Sequence, residues 1–485
     1  MSNTIPCPLH AAAKDVGNLP AIIVGNRAIS YRRYEQMVAS VSARLDGMGL
    51  GAKGRIAVIS NNSWEYVILL LAVLRLGCVI CPISPRFPQK AILSVLRKID
   101  CGIVIDPLHI LAQEPLPDIR TIEHDALFKE DPSRGRNATH GISVDLDVEA
   151  TIVLTSGTSG APKAALHTIG NHYYSAIGSN ENIPVRPGDR WLLSLPLYHV
   201  GGLGIVFRML LARGVVVIHQ GKERIEDVVN RYKITHLSLV STQLYRWLAE
   251  GVSEKATAGL KALLVGGGPV PPSLVQSARQ AGLPLYTTYG LTEMASQVTT
   301  TAPNDTPEHL LTSGRLLSHR EIKIEAGEIL VKGKTLFKGY LKGNQITLPV
   351  DRNGWFPTGD LGCLTQDGYL TLLGRRDNCF ISGGENICPE EIERCLCLLP
   401  QIAQAVVVPI EDKEYGFRPV AFIRTQAGRP VDKKALTAHL ERHLPRFKIP
   451  EAFYQWPHEV DRNKLKLDRR YFTERSHSLK KECIN

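Results

Sequence analysis

The stretch "ATIVLTSGTSGAPK", Ala150 to Lys163, sets a short apolar run against hydroxyls, two glycines, a proline and a lysine. "TIVL" reads as a buried strand, and "TSGTSGAPK" reads as the loop at its end. Gly157 and Gly160 open backbone conformations closed to most residues and let an oxyanion approach N–H groups. Thr155, Ser156, Thr158 and Ser159 add short hydroxyl donors, and Lys163 adds a mobile cation. These groups suit a triphosphate or its leaving diphosphate. The loop is not G-x-x-x-x-G-K-[ST], because a proline precedes the lysine and an alanine follows it. On composition alone a polar surface turn remains the alternative.

Working outward, helices and strands alternate on both sides of this loop. "YRRYEQMVASVSARLDGMGL" has helical apolar spacing and leads into strand-like "RIAVIS"; "NSWEYVILLLAVLRLG" then "CVICPI", and "KAILSVLRKID" then "CGIVID", repeat the order. "RWLLSLP", "VVVIH", "HLSLV", "KALLVGG" and "LPLYTTYG" continue the strands, and "SHREIKIEAGEILVKGKTLFKGYLKG" reads as hairpins of a small β unit. "CPEEIERCLCLLP", "QAVVVPI", "RPVAFIRT" and "KKALTAHLERHLP" form a compact α+β set. The order predicts an α/β protein: a large N-terminal domain of mixed parallel sheets with a β unit over residues 1–375, and a smaller α+β domain over 376–485.

At 485 residues, 44% hydrophobic and 21% charged, the composition is that of a soluble globular protein of more than one domain. "MSNTIPCPLHAAAKD" lacks the pattern of a signal peptide, and no run of eighteen apolar residues occurs, so no stable membrane insertion is expected. Net charge is +10, concentrated late in "PRFKIP" and "DRNKLKLDRRYFTERSHSLKK". That excess admits anionic ligands, but no reading module or basic patch with stacking aromatics accompanies it, so nucleic acid is not an expected partner. Cys78 and Cys81 make a C-x-x-C with no second pair at zinc spacing, which reads as ordinary buried thiols in a reducing cytoplasm.

Further along, "TTYGLTE" brings an aromatic, a hydroxyl and a hard oxygen ligand together, and "WFPTGD" offers a carboxylate able to accept two hydroxyl protons. With "LTSGTSGAPKAALHT", "LLGRRDN", "CFISGGENICPEEIE" and "RNKLKLDRRYF", these occur in the order found in the acyl-adenylate-forming superfamily, which the chain resembles over roughly residues 20 to 470. The resemblance implies ATP, Mg²⁺ and CoA as cosubstrates and cofactor. It implies that Tyr289 lies against adenine, that Thr292 sits near the phosphate, that Glu293 meets Mg²⁺, and that Gly267 and Gly290 join the nucleotide site. Asp360 would hold the ribose hydroxyls with help from Arg375, and Asp377 would be the hinge of a mobile C-terminal domain. Gly383 and Gly384 would line the CoA route. Lys466, three positions before Arg469, would be the adenylation lysine; the usual Ser-Gly is replaced by Lys464-Leu465, which leaves Lys464 as a rival. Glu390, Glu391 and Glu393 read as solvent-facing acids in the first turns of a helix rather than a metal cluster.

The acid is addressed by "WLLSLPLYHVGGLGIVFRML", "THLSLVSTQLYRWL", "LLVGGGPVPPSL" and "YGLTEMAS", which resemble the 2-succinylbenzoate–CoA ligase branch of that superfamily. That resemblance implies an aromatic slot with cationic or polar contacts for a second carboxylate, with Arg208, Ser241 and Thr242 as candidates and Tyr198 and Leu203 as walls. His199 would close the acyl pocket, and Arg208 could equally cap a helix or pair on a surface. A different aryl or medium-chain acid is the rival substrate. A serine hydrolase is disfavoured because no G-x-S-x-G elbow occurs. The sequence leaves room for a homo-oligomer and does not specify one.

Overall fold

The computed structural model describes residues 3–112, 119–129, 143–155, 162–221, 223–268, 270–425, 432–457 and 469–482. Two large sheets and a four-stranded sheet build the N-terminal part. The first large sheet runs in the order Gln345–Thr347, Gly339–Lys342, Lys163–Thr168, Glu149–Thr155, Val79–Ile83, Arg55–Ile59, Ile103–Ile105 and Arg120–Thr121. Its half from Glu149–Thr155 to Arg120–Thr121 is parallel, and the remainder is antiparallel. The central parallel strands are mostly apolar, with Ile56, Ala57, Ile59, Ile80, Cys81 and Ile83 fully buried, as strands covered on both faces must be.

The second large sheet orders Arg315–Leu316, Ser296–Thr300, Leu285–Leu291, Ala262–Gly266, His236–Val240, Arg190–Leu192, Val215–Ile218, Pro20–Val24 and Arg27–Ser30. Its centre is parallel, and Leu285–Leu291 turns back antiparallel into Ser296–Thr300. The four-stranded antiparallel sheet comprises Arg320–Glu325, Glu328–Gly333, Phe356–Leu364 and Leu370–Arg375. Beyond it lie the hairpin Phe380–Ser382/Glu385–Ile387, the helix Pro389–Leu396, a three-stranded sheet (Ile402–Asp412, Gly416–Thr425, Ala452–Gln455), and helices Lys433–Glu441 and Arg469–Glu482. The architecture is thus the expected large α/β part followed by a small α+β part.

Two helices show how sequence sets the core. Trp64–Arg75 starts where the Ser63 hydroxyl accepts from the Tyr66 N–H, and its residues from Tyr66 to Leu74 are all buried. Val200–Ala212 is also apolar nearly all round, with Leu203, Ile205, Val206 and Met209 inaccessible. Its first turn packs so closely on the preceding loop that a Cβ at Gly202 would lie 2.2 Å from the Pro196 carbonyl oxygen.

One expectation about cysteine is corrected. Cys78 and Cys81 are buried thiols, as expected, but Cys379 and Cys388 form a disulfide. They flank the hairpin Phe380–Ser382/Glu385–Ile387, and its cross-strand register, ending at Phe380 opposite Ile387, brings their Cα atoms to 4.4 Å. Nine positions of sequence separation conceal that pairing.

Candidate active site

Thr155 ends one strand and Lys163 begins the antiparallel return strand, with the two residues in register. Ser156, Gly157, Thr158, Ser159 and Gly160, expected to form a phosphate loop, lie outside the described residues, as do Lys464 and Lys466. Lys163 is exposed, and its ammonium stands 5.0 Å over the ring of Tyr340 on the neighbouring strand.

Thr292 and Glu293 occupy the single 3₁₀ turn Thr292–Met294 between the strands Leu285–Leu291 and Ser296–Thr300. The turn is fixed from outside. His167 Nε2–H donates to the Thr292 carbonyl at 2.7 Å, the Phe337 N–H donates to the Glu293 carbonyl at 2.8 Å, and the Tyr340 hydroxyl donates to Glu293 Oε1 at 2.6 Å. Burial lowers the His167 pKa to about 4, so the ring is neutral at physiological pH and Nε2 can carry its one proton. Ala295 then adopts the left-handed conformation (φ 53°) and Ser296 a φ of 123°, which places backbone strain at the end of the turn. A Cβ at Gly290 would lie 2.2 Å from the Ser296 carbonyl oxygen, so close approach of the two strands demands glycine there. Glu293 is a half-buried carboxylate beside a hydroxyl, and no group of three or more metal-ligating side chains occurs among the described residues. That donor set suits Mg²⁺, which takes one or two carboxylates and fills its octahedron with phosphate oxygens and water.

Asp360 is 14% exposed and gripped on both oxygens: Tyr289 donates to Oδ2 at 2.7 Å, and Arg375 Nη1 stands 3.0 Å from Oδ1. The register Asp360↔Arg375 across the hairpin Phe356–Leu364/Leu370–Arg375 makes that pairing local. Gly359 has φ +73°, and a Cβ on it would come within 3.2 Å of Arg375 Nη2. Arg375 Nη2 also reaches Asp377 at 3.6 Å, so Asp360 and Asp377 share one guanidinium. Tyr289 is 5% exposed and packs in the core with Phe337 and Phe356, so its hydroxyl has a role in positioning Asp360 that the sequence did not reveal. Gly267 (φ +84°) follows the strand Ala262–Gly266.

Arg208 lies inside the buried helix Val200–Ala212 and is 1% exposed, neither a cap nor a surface ion pair. Its Nη2 donates to Ser296 Oγ at 3.3 Å, its guanidinium stands 5.4 Å from the Trp191 ring centroid, and Nε has no partner among the described residues. Burial alone lowers its pKa to about 10, so it stays a cation with no carboxylate beside it among the described residues. Gly204 makes the room, since a Cβ there would sit 3.1 Å from Nη2. A second buried arginine, Arg320, spends its donors on the carbonyls of Gln297, Ser318 and Ser175 and on the Ser175 hydroxyl. Ser296, missed in the sequence, supplies the hydroxyl that reaches Arg208. Ser241 and Thr242 are half-buried at the start of the helix Ser241–Glu250. His199 is exposed just before the Arg208 helix, edge-on to the buried Tyr198 ring at 4.9 Å, and Leu203 is fully buried one turn on.

In the C-terminal part, Gly383 (φ 56°) and Gly384 (φ 86°) form the two-residue turn of the hairpin, a conformation that strongly favours glycine at both positions. The expectation of solvent-facing acids is corrected here: Glu390 and Glu393 are largely buried and bind Arg469, and Glu391 binds Lys448, because the helices packed on this one supply cations. Arg469 therefore ties the helix Arg469–Glu482 to the helix Pro389–Leu396.

The strand pair that carries Thr155 and Lys163, the Glu293 turn and Asp360 thus come from three different sheets, joined by hydrogen bonds from His167 to Thr292, from Tyr340 to Glu293 and from Tyr289 to Asp360. The AMP-binding enzyme family model matches residues 9–341, and the AMP-binding enzyme C-terminal domain matches 391–464. The chain belongs to the AMP-binding enzyme family. Among AMP-binding enzymes it is 33% identical over 460 residues to the 2-succinylbenzoate–CoA ligase of Bacillus licheniformis, covering 91% of this chain and 93% of that one. It resembles o-succinylbenzoate CoA synthetase from Bacillus subtilis in complex with the acyl-adenylate intermediate OSB-AMP, at TM-score 0.83 and 31% identity over 96% of this chain and 99% of that one. The same synthetase in complex with ATP and magnesium ion matches at TM-score 0.83 and 31% identity, over 93% of this chain and 96% of that one.

Proposed function

We propose that this chain joins 2-succinylbenzoate to CoA in an ATP- and Mg²⁺-dependent reaction that passes through an acyl-adenylate and yields 2-succinylbenzoyl-CoA, AMP and diphosphate. The observation that carries the choice of acid is Arg208, a buried cation without a carboxylate partner among the described residues, beside an indole face and a hydroxyl. An aromatic acid with a second carboxylate supplies what that site lacks: a ring to lie in the slot and an anion for the guanidinium. A fatty acid would leave Arg208 charged and unpaired.

In the first half-reaction the succinyl carboxylate attacks the α-phosphorus, the bond to the β-phosphate bridge breaks, and diphosphate leaves. Lys466 bridges carboxylate and phosphate oxygens as charge redistributes. Thr155 to Lys163 hold the departing diphosphate, Thr292 donates to the α-phosphate, and Asp360 accepts the ribose hydroxyls while Tyr289 and Arg375 hold it still. Glu293 and the phosphates would hold Mg²⁺, which neutralises phosphate charge when bound. No protein nucleophile is needed. In the second half-reaction the small domain turns about Asp377, Lys466 withdraws, and the hairpin with Gly383 and Gly384 guides the CoA thiolate to the acyl carbon, where AMP leaves. We place the domain boundary between residues 375 and 376 and the reaction in the cytoplasm, where ATP and CoA are available. ATP–diphosphate exchange across a panel of acids tests the proposal: exchange led by 2-succinylbenzoate supports it, and stronger exchange with another aryl or medium-chain acid overturns the substrate assignment.

A further inference from the structure

We propose that Tyr340 is the positioning residue that joins the two halves of the nucleotide site, setting the Glu293 carboxylate for Mg²⁺ while holding Lys163 beside the phosphates. The proposal rests on the Mg-nucleotide reading of that site.

Tyr340 sits in the strand Gly339–Lys342, opposite Ala165 of the strand that Lys163 begins and opposite Thr347 on its other side. Its two ends do different things. The hydroxyl donates to Glu293 Oε1 at 2.6 Å, and the ring faces the Lys163 ammonium at 5.0 Å. The ring itself is wedged: Phe337 meets it edge-on at 4.8 Å, and the Phe337 N–H holds the Glu293 carbonyl. One side chain and its neighbour three positions back thus fix both the backbone and the carboxylate of Glu293.

A hydrogen bond to one oxygen of a ligating carboxylate fixes its rotamer, and such outer contacts typically matter by about 10- to 100-fold in metal affinity. The cation–π contact is a smaller, separate effect, on the order of 2- to 5-fold for an exposed lysine. Phosphate recognition and metal recognition are therefore coupled through Tyr340, but by different atoms of it, and this separates a positioning role from mere packing.

The experiment is calorimetric titration of ATP into the full-length protein without acid or CoA, with and without Mg²⁺, so that no turnover occurs. For wild type, Mg²⁺ should tighten ATP binding. Tyr340→Phe keeps the ring and should cut that tightening by about 10-fold or more with metal-free ATP affinity unchanged. Tyr340→Leu should also weaken metal-free ATP binding by about 2- to 5-fold. A Tyr340→Phe protein with the wild-type Mg²⁺ effect overturns the proposal, as does a joint loss of both affinities with a lowered melting temperature, which would mark a packing role. If Mg²⁺ does not tighten ATP binding to wild type, the reading of the site fails first and the proposal with it.

Discussion

On the proposed function, replacing Arg208 by methionine should separate recognition of the second carboxylate from everything else the protein does. The free enzyme keeps this guanidinium buried with Nε unpartnered among the described residues, and burial lowers its pKa from the ordinary arginine value to about 10. Such a shift corresponds to a cost of roughly 3 kcal/mol. Linkage sets the sign: a base with a depressed folded pKa binds fewer protons folded than unfolded between about pH 10 and its ordinary value, so the cost is fully present at pH 7. Methionine removes that cost and forfeits the contact with Trp191, worth about 1–2 kcal/mol, so the melting temperature should stay level or rise. The bound diacid, in contrast, loses a charge-assisted hydrogen bond of about 1.5–3 kcal/mol, or roughly a 10- to 150-fold rise in KM. AMP release would be followed with 2-succinylbenzoate and with its analogue lacking the ring carboxylate, for which KM should change by less than about 3-fold. An equal rise in KM for both acids would refute the reasoning, because it would place Arg208 outside contact with the second carboxylate.

Lys466→Ala should suppress adenylation far more than CoA transfer from supplied acyl-adenylate; single-turnover assays of each half-reaction would show it, and equal losses would count against its selective role. Asp360→Asn should raise KM for ATP by roughly 10-fold, since an amide accepts from ribose hydroxyls more weakly than a carboxylate and loses the Arg375 pair; an unchanged KM would remove Asp360 from the ribose site. His167 has a folded pKa lowered to about 4, so the stability it contributes is present above about pH 6.5 and lost as pH falls through 4, a change of up to about 3 kcal/mol. His167→Gln, which can still donate to the Thr292 carbonyl, should flatten the acid limb of melting temperature against pH, and an unaltered limb would contradict the assignment.

The large parallel sheets were legible because their strands are short, apolar and separated by helices of clear period, and the chemistry was legible wherever it sits in a contiguous motif. "YGLTE" and "TGD" put Glu293 and Asp360 forward as candidates. The groups that hold those two were hidden, since His167, Tyr289 and Tyr340 act through contacts spanning 125, 71 and 47 residues. In the sequence Tyr340 is one more aromatic in a hairpin. Arg208 reads as a candidate, but only the burial of its whole helix distinguishes it from a capping arginine, and its partner Ser296 comes from a strand 88 residues on. The Cys379–Cys388 pair escapes a reading of the sequence because spacing does not reveal hairpin register.

The most direct test of the central claim is one reaction mixture: purified protein, ATP, Mg²⁺ and CoA with 2-succinylbenzoate in equimolar competition with benzoate, a medium-chain acid and the analogue lacking the ring carboxylate. Products would be read by mass. The account predicts AMP and 2-succinylbenzoyl-CoA as the dominant thioester. ADP in place of AMP, or a dominant thioester of another acid, would contradict it.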